Sequence, residues 1–257
     1  MLGCVGEEPA FPECEAGAPF DAPAPLSELA EVGSTEANLT LDPATENRAY
    51  FSSARGGRAL ALFSAQRANR ASLFSPPATV SAVSAPSGTT RVQITRDELT
   101  MVLTADAIYV ARRAKPGDGF DGPIKLALAH DGKAASAPRC ASIDREGTTL
   151  YYSDGTDIYQ QPLAQPETPS TRIAELSGFS CLVVSADGNE GFVRGADGKV
   201  YRTARAGTWS APVLEVKLSG ERGQSQVTYL SRNRCDAYLT SNESGVEHAY
   251  WAHRTPR

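Results

Sequence analysis

The stretch TTLYYSDGTDIY at Thr148–Tyr159 is followed about forty residues later by a near copy, NEGFVRGADGKVY at Asn189–Tyr201. In both, a short apolar and aromatic run leads into a polar turn and then a second aromatic residue. Runs rich in β-branched and aromatic residues, bounded by Gly, Asp and Asn, are typical of β-hairpins. Self-similarity at a regular spacing indicates a repeat architecture, so the same unit is expected elsewhere in the chain.

The unit recurs five times. The first aromatic residue of the opening stretch has counterparts 41 to 51 residues apart, at Tyr50, Met101, Tyr151, Phe192 and Tyr238. Each copy places an apolar run and a turn before this residue, and a turn and a third run after it. In most copies an aromatic residue followed three positions later by proline begins a fourth run, as at Phe20, Phe74, Phe120 and Trp209. Because proline suits an edge strand, each unit is predicted to be four antiparallel strands, A to D.

A four-stranded sheet of about 45 residues cannot bury both of its faces, and repeats of this length pack radially. The chain is therefore predicted to be all-β: a five-bladed β-propeller of four-stranded antiparallel blades, with large B- and C-strand side chains filling the wedges between blades. The blades are expected at about 37–83, 91–128, 138–176, 180–218 and 225–254. A sixth, degenerate blade is the alternative, but no further segment of forty residues remains to build it.

The two ends of the repeat array predict how the ring closes. The first recognisable element is a D strand at 19–29, and the last unit, 225–254, has strands A, B and C without a D strand. We expect the N-terminal strand to complete the last blade, which removes the open seam of a linear array. Residues 1–18 would form an N-terminal tether, and 19–257 a single propeller domain.

The segments DREGTTLYYSDGTDIY and SADGNEGFVRGADGKVY resemble the WD40-like repeats of TolB-type periplasmic propellers. The resemblance extends over about residues 20–254. It implies a propeller of the bacterial envelope that serves as a scaffold for binding partners, and it implies no particular chemistry.

The cysteines suggest two disulfides and a lipid anchor. Leu2, Gly3 and Cys4 resemble the end of a bacterial lipoprotein signal, and lipidation of Cys4 would hold the protein at a membrane surface. The other four cysteines are an even number, which suits an exported protein. Cys140 and Cys181 occupy the same position in adjacent A strands, while Cys14 precedes the N-terminal strand and Cys235 lies in the blade that this strand completes. The pairs Cys14–Cys235 and Cys140–Cys181 are expected, with four reduced thiols as the alternative.

Charge and hydrophobicity argue against two classes of partner. The net charge is −5 and the basic residues are scattered, whereas nucleic-acid binders usually carry a basic face. No basic run forms a polybasic membrane patch, and no apolar stretch approaches the roughly 18 residues that cross a bilayer.

The polar motifs predict no catalytic residue, cofactor or metal ligand. Aspartates recur in the first turn of four units, at Asp42, Asp97, Asp144 and Asp187, and in the second turn at Asp106, Asp154 and Asp197. Aspartate is a common turn former, so these residues are interpreted as structural. His248 and His253 are five apart and face opposite sides of a strand, and no HExxH or CxxC pattern occurs.

The A strands offer Asn38, Gln93, Cys140, Cys181 and Gln226 to the central channel. We therefore expect a non-enzymatic scaffold that binds an envelope protein or a glycan through one face of the propeller. It would be a monomer, exported, and periplasmic or associated with the outer membrane. The alternative is a carbohydrate-active enzyme of the glycosidase type, which needs carboxyl groups converging in the channel.

Overall fold

The computed structural model describes residues 12–255 except 58, 82, 131, 136, 145, 221 and 222. It contains five four-stranded antiparallel blades in a ring, as the repeats predicted. Neighbouring A strands contact one another around a central channel. Helical structure in these residues is limited to three short 3₁₀ helices at Arg55–Gly57, Ala174–Leu176 and Lys217–Ser219. No helix in the described ranges is long and apolar enough to cross a membrane.

The chain enters the ring with strand β1 (Ala24–Pro25), which belongs to the last blade. Strands A to D of blade 1 are β2 (Glu36–Leu41), β3 (Arg48–Ser53), β4 (Ala61–Gln66) and β5 (Ala78–Thr79). Those of blade 2 are β6 (Arg91–Ile94), β7 (Thr100–Thr104), β8 (Ile108–Arg112) and β9 (Ile124–Lys125). A small hairpin follows, formed by β10 (Ala129–His130) and β11 (Lys133–Ala134).

Strands A to D of blade 3 are β12 (Arg139–Ile143), β13 (Thr149–Ser153), β14 (Ile158–Pro162) and β15 (Thr171–Arg172). Blade 4 has β16 (Phe179–Val184), β17 (Glu190–Gly195) and β18 (Val200–Ala206), with β19 (Thr208–Trp209) and β20 (Val213–Leu214) both paired to β18. Blade 5 has β21 (Ser225–Leu230), β22 (Asp236–Ser241) and β23 (His248–His253), and β1 is its D strand.

The N-terminal segment closes the ring as predicted. Ala24 pairs with Trp251, and Pro25 with Tyr250. The strand is two residues long, like the D strands of the other blades, and its edge position suits Pro23 and Pro25, which carry no N–H to donate to a ladder. Two flanking backbone bonds extend the contact: Asp21 N donates to His253 O at 2.7 Å, and Leu26 N donates to Ala249 O at 3.0 Å.

A buried ion pair fixes the closure from the other side. The Arg254 guanidinium is about 1% exposed and binds the Glu190 carboxylate of blade 4, with Nη2 2.6 Å from Oε2. Its Nη1 also donates to Ala18 O at 3.1 Å, and its Cζ lies 4.5 Å from the centroid of the Phe20 ring. One residue therefore connects blade 4, the N-terminal segment and the end of the chain.

The described core residues form five hydrophobic clusters, one at each junction between neighbouring blades. Tyr50, Tyr151, Phe192 and Tyr238 are each at most 4% exposed and face the following blade. The prediction that the repeated aromatic residues fill the wedges is confirmed at these four positions.

Blade 2 departs from the sequence alignment by one residue. Met101 packs toward blade 1, and Val102 packs toward blade 3. The position equivalent to Tyr151 is therefore Val102, because a slip of one residue moves a side chain to the other face. The B-strand partners show the same shift: Ser142 pairs with Tyr151 in blade 3, and Gln93 pairs with Val102 in blade 2.

Candidate functional site

Two cavities lie along the channel, and residues of all five blades line each one. The cavity where the A strands end encloses about 40 Å³, room for a water molecule, and its lining is mainly apolar, including Ile94, Ile143, Val183 and Leu230. The cavity where the A strands begin is larger, about 340 Å³, and more polar. We call it the mouth cavity.

The mouth cavity is the candidate site. Its polar and charged lining includes Asn38 of blade 1, Arg91 of blade 2, Arg139 and Cys140 of blade 3, Arg194 of blade 4 and Gln226 of blade 5. Arg139 is exposed, Arg194 is half-buried and Arg91 is buried. The three arginines therefore range from exposed to buried, and Arg91 is the one withdrawn from solvent.

A β-bulge shapes the A strands of blades 1, 3 and 4. Asn38, Cys140 and Cys181 sit at matching positions with φ of 55°, 52° and 57°, in the left-handed region. In each strand one extra residue is inserted opposite the B strand. Bulges of this kind re-aim side chains next to sites. Blade 2 pairs without a bulge, and its Arg91 pairs with Thr104 as Arg139 pairs with Ser153 in blade 3.

Amide side chains connect three blades across the mouth. Gln226 Nε2 donates to Asn38 Oδ1 at 2.8 Å, and Asn38 Nδ2 donates to Thr90 O at 2.8 Å. Deeper in the channel, Gln93 Nε2 crosses from blade 2 to donate to Thr228 O of blade 5 at 3.1 Å. These bonds hold the channel wall in one arrangement.

Arg91 is a buried cation without an acidic partner among the described residues. Its side chain is 2% exposed. Nη2 lies 3.5 Å from Thr228 O, at the limit of a hydrogen bond, and Nε and Nη1 have no protein acceptor in the described part of the chain. Burial lowers the pKa of Arg91 to about 10, so the guanidinium still carries its charge at neutral pH.

Carboxylates are scarce at the mouth. Among the lining residues that the structure describes, Glu247 alone carries one. Glu36 begins the A strand of blade 1 but is about 1% exposed and occupied, with Oε2 2.8 Å from His248 Nδ1 and Oε1 3.6 Å from Arg55 Nη2. The described residues thus bring no pair of carboxyl groups together in this cavity.

The turn aspartates have the structural role predicted for them. Those of the first turns, Asp42, Asp97, Asp144 and Asp187, accept backbone N–H groups of their own turns. Those of the second turns accept a tyrosine O–H from the strand that follows, in the pairs Asp106–Tyr109, Asp154–Tyr159 and Asp197–Tyr201. The repeated aspartate and tyrosine are therefore one hydrogen-bonded unit.

The described cysteines form two disulfides. Disulfides join Cys14 to Cys235 and Cys140 to Cys181, the two pairs suggested by the sequence, with Cα atoms 5.1 and 4.9 Å apart. The lipidation candidate Cys4 lies outside the described residues.

The two C-terminal histidines contact different carboxylates: His253 Nδ1 is 2.8 Å from Asp236, and His248 contacts Glu36. Over the ranges described, no three His, Cys, Asp or Glu residues are grouped to hold a metal ion.

Three of the residues predicted to face the channel, Asn38, Cys140 and Gln226, line the mouth, whereas its arginines were not predicted. In the A strand of blade 2 the prediction was Gln93, which lies deeper and donates to Thr228 O, while Arg91 lines the mouth. The sequence does distinguish Arg194 from the matching residues of the other copies. At its position, two residues after the repeated aromatic, the other copies have Ser or Thr: Ser52, Thr104, Ser153 and Thr240.

Comparisons with known proteins show the fold alone. No protein-family model matches the chain, and no curated protein sequence matches it. Among solved structures, a gluconolactonase from Xanthomonas campestris is 16% identical over 97% of this chain and 90% of that chain, with a TM-score of 0.56.

The catalytic domain of a GH62 α-L-arabinofuranosidase from Coprinopsis cinerea is 12% identical over 93% of this chain and 97% of that chain, with a TM-score of 0.56. A protein from Agrobacterium tumefaciens reported as a putative TolB is 12% identical over 90% of this chain and 73% of that chain, with a TM-score of 0.46.

Proposed function

We propose that this protein is a non-enzymatic binding scaffold that takes its ligand at the mouth cavity. The observation that carries the proposal is a cavity of about 340 Å³ to which all five blades contribute residues, with three arginines and two amide side chains among them. Ligand sites are concave and combine a preformed wall with a few convergent polar groups. The hydrogen bonds among Gln226, Asn38 and Thr90 supply such a wall.

The charge of the mouth supports binding over hydrolysis. Glycosidases use two carboxyl groups about 5 to 9.5 Å apart. The described lining offers three arginines and the single carboxylate of Glu247. This arrangement is suited to holding a ligand rather than to general acid–base catalysis on a glycosidic bond.

Export to the bacterial envelope belongs to the same proposal. Two disulfides are typical of proteins in an oxidising compartment. The motifs at 144–159 and 185–201 support membership of the WD40-like, TolB-type repeats, and Leu2-Gly3-Cys4 supports a lipid anchor. The partner would be an envelope protein or a glycan, bound by a monomer.

The proposal is tested with charge-reversed variants. Arg139→Glu with Arg194→Glu alters the mouth, and Arg112→Glu with Arg172→Glu makes the same charge change on outer strands of blades 2 and 3. Each protein is tested for binding to a glycan array and, when immobilised, for capture of proteins from an envelope extract. We expect the wild type and the outer-strand variant to bind the same species. The mouth variant should lose them.

Equal melting temperatures of the three proteins would show that folding is intact. Retention of every bound species by the mouth variant would contradict the proposal. Hydrolysis of nitrophenyl glycosides by the wild-type protein would contradict its non-enzymatic part.

A further inference from the structure

We propose that Arg91 is an anion-binding residue, whose guanidinium binds the carboxylate or phosphate group of a small acidic ligand entering through the mouth cavity. This inference rests on the proposed function, because it names the ligand class of the same site. It makes Arg91 the primary contact and Arg139 and Arg194 the residues that attract the ligand.

The first argument is the unmatched charge. Buried arginines in proteins are almost always paired, because an uncompensated buried charge is costly. Arg91 is 2% exposed, and within the described residues its Nε and Nη1 meet no acceptor and its Nη2 meets only the neutral Thr228 carbonyl at 3.5 Å. Arg254, equally buried, has the Glu190 carboxylate at 2.6 Å. The oxyanion of a ligand would neutralise the charge of Arg91 as the Glu190 carboxylate neutralises that of Arg254.

The second argument is the distribution of charge. The protein carries a net charge of −5, yet the described lining of the mouth has three arginines against Glu247. Clefts lined by one sign of charge focus the field and raise the local concentration of oppositely charged ligands. The mouth is thus a locally positive cavity on an acidic protein, with Arg139 exposed to solvent and Arg91 buried in its lining.

The third argument is size and chemistry. A guanidinium presents planar N–H donors that match the oxygens of carboxylate and phosphate. The depth of Arg91 excludes a folded protein surface, whereas a cavity of about 340 Å³ accommodates a small molecule. The Asn38 and Gln226 amides beside it offer neutral polar contacts to the rest of such a ligand.

The test uses three probes and four proteins. The probes are inorganic phosphate, D-glucuronate and the neutral sugar D-glucose. The proteins are the wild type, Arg91→Gln, Arg91→Lys and the control Arg112→Gln, which removes one exposed charge from the outer C strand of blade 2. Titration calorimetry gives affinities, and thermal unfolding gives stability with and without each probe.

We expect phosphate, glucuronate or both to bind the wild type and raise its melting temperature, while glucose does neither. Arg91→Gln should weaken binding at least about tenfold, and Arg112→Gln by less than about twofold, since a charge-assisted hydrogen bond has far more effect than an exposed charge. Arg91→Lys keeps the positive charge but lacks the forked N–H donors of the guanidinium. Its anion affinity should therefore lie between those of the wild type and Arg91→Gln. Which anion binds distinguishes a carboxylate from a phosphate ligand.

Without a probe, Arg91→Gln should melt at the wild-type temperature or above, because it removes an unpaired buried charge. A lower melting temperature for Arg91→Gln together with no effect of either anion on the wild type would make Arg91 structural and overturn the inference. Equal anion affinities in Arg91→Gln and Arg112→Gln would overturn it as well. If binding of glycans or proteins still depends on Arg139 and Arg194, the proposed function stands while this inference fails.

Discussion

Asp154 shows how a single side chain orders a turn of this fold. Its Oδ1 accepts the N–H groups of Thr156 at 2.8 Å and Asp157 at 2.9 Å, and its Oδ2 accepts Tyr159 Oη at 3.1 Å. Asp197 repeats the arrangement with Lys199 N and Tyr201 Oη in the next blade. The aspartate thus links each turn to the aromatic residue after it, which explains why the two recur together in the sequence.

Replacing Asp154 with Asn should destabilise the protein in a pH-dependent way. Burial alone would raise the pKa of Asp154, but hydrogen bonds from Asp157, Thr156 and Tyr159 outweigh it and lower the pKa below its ordinary value. A depressed pKa gives stability that is complete above the unfolded pKa of about 3.9 and is lost as pH falls through the folded value. The melting temperature of Asp154→Asn should fall furthest below that of the wild type near neutral pH, and this difference should shrink below about pH 4.

The measurement is a series of thermal unfolding curves from pH 7 to pH 3. Asp121→Asn, at an exposed position, is the control and should show little gap at any pH. A gap for Asp154→Asn that stays constant across the series would contradict the electrostatic explanation.

At the scale of the element, blade 4 depends on a small residue where a large neighbour packs. Gly191, on the B strand of blade 4, lies beneath Trp209 and beside Leu182 in the junction with blade 3. A Cβ atom at Gly191 would stand 2.8 Å from the Trp209 ring and 2.9 Å from Leu182 Cδ1. The tryptophan of the aromatic-x-x-proline segment therefore requires glycine opposite it.

Gly191→Ala should lower the free energy of unfolding by about 1 to 3 kcal/mol, the usual cost of overpacking a core. Urea unfolding measures the change. Gly122→Ala is a matched control, since a Cβ there would meet no atom within 4 Å and the residue does not have positive φ. Equal midpoints for the two variants would show that the junction relaxes around the added methyl group.

The blades were predictable because their determinants are local and repeated. Tyr151 and Phe192 each follow a turn and precede another, so the pattern identifies strands and spacing. The bulges were not predictable, because Cys140 and Cys181 take left-handed φ values that nothing about cysteine signals. Arg91 was missed for a related reason: without a bulge the A strand of blade 2 is one residue shorter, and only the three-dimensional pairing shows that Arg91 lies opposite Thr104 as Arg139 lies opposite Ser153.

At the scale of the whole molecule, the ring is held at one seam. β1 supplies the last strand of blade 5, the Arg254–Glu190 pair connects blade 5 to blade 4, and the Cys14–Cys235 disulfide fastens the N-terminal segment. Leu26 and Leu29 pack into the junction with blade 1, and Phe20 packs into the junction with blade 4. The N-terminal segment thus seals both sides of one blade.

The two disulfides should contribute unequally to stability. Cys14 and Cys235 are 221 residues apart, and Cys140 and Cys181 are 41 apart. The chain-entropy relation gives about 5 kcal/mol for the first and about 4 kcal/mol for the second. We expect Cys14→Ala with Cys235→Ala to lower the urea midpoint more than Cys140→Ala with Cys181→Ala.

Peptide mapping of the non-reduced protein by mass spectrometry verifies the pairing before the comparison. Greater destabilisation by the Cys140 and Cys181 substitutions would show that the local geometry of the channel outweighs the length of the closed loop.

The closure has a consequence for biogenesis. Residues 20–26 are made before blades 1 to 4, yet their partners in β23 are made after these blades, so the N-terminal segment must wait for all of them. Blades 1 to 4 have complete sets of strands before then, and domains made on ribosomes generally fold from the N-terminus onward. A nascent chain stalled before His248 would therefore be a four-bladed arc with two bare flanks, and those flanks would stay uncovered until β23 is made.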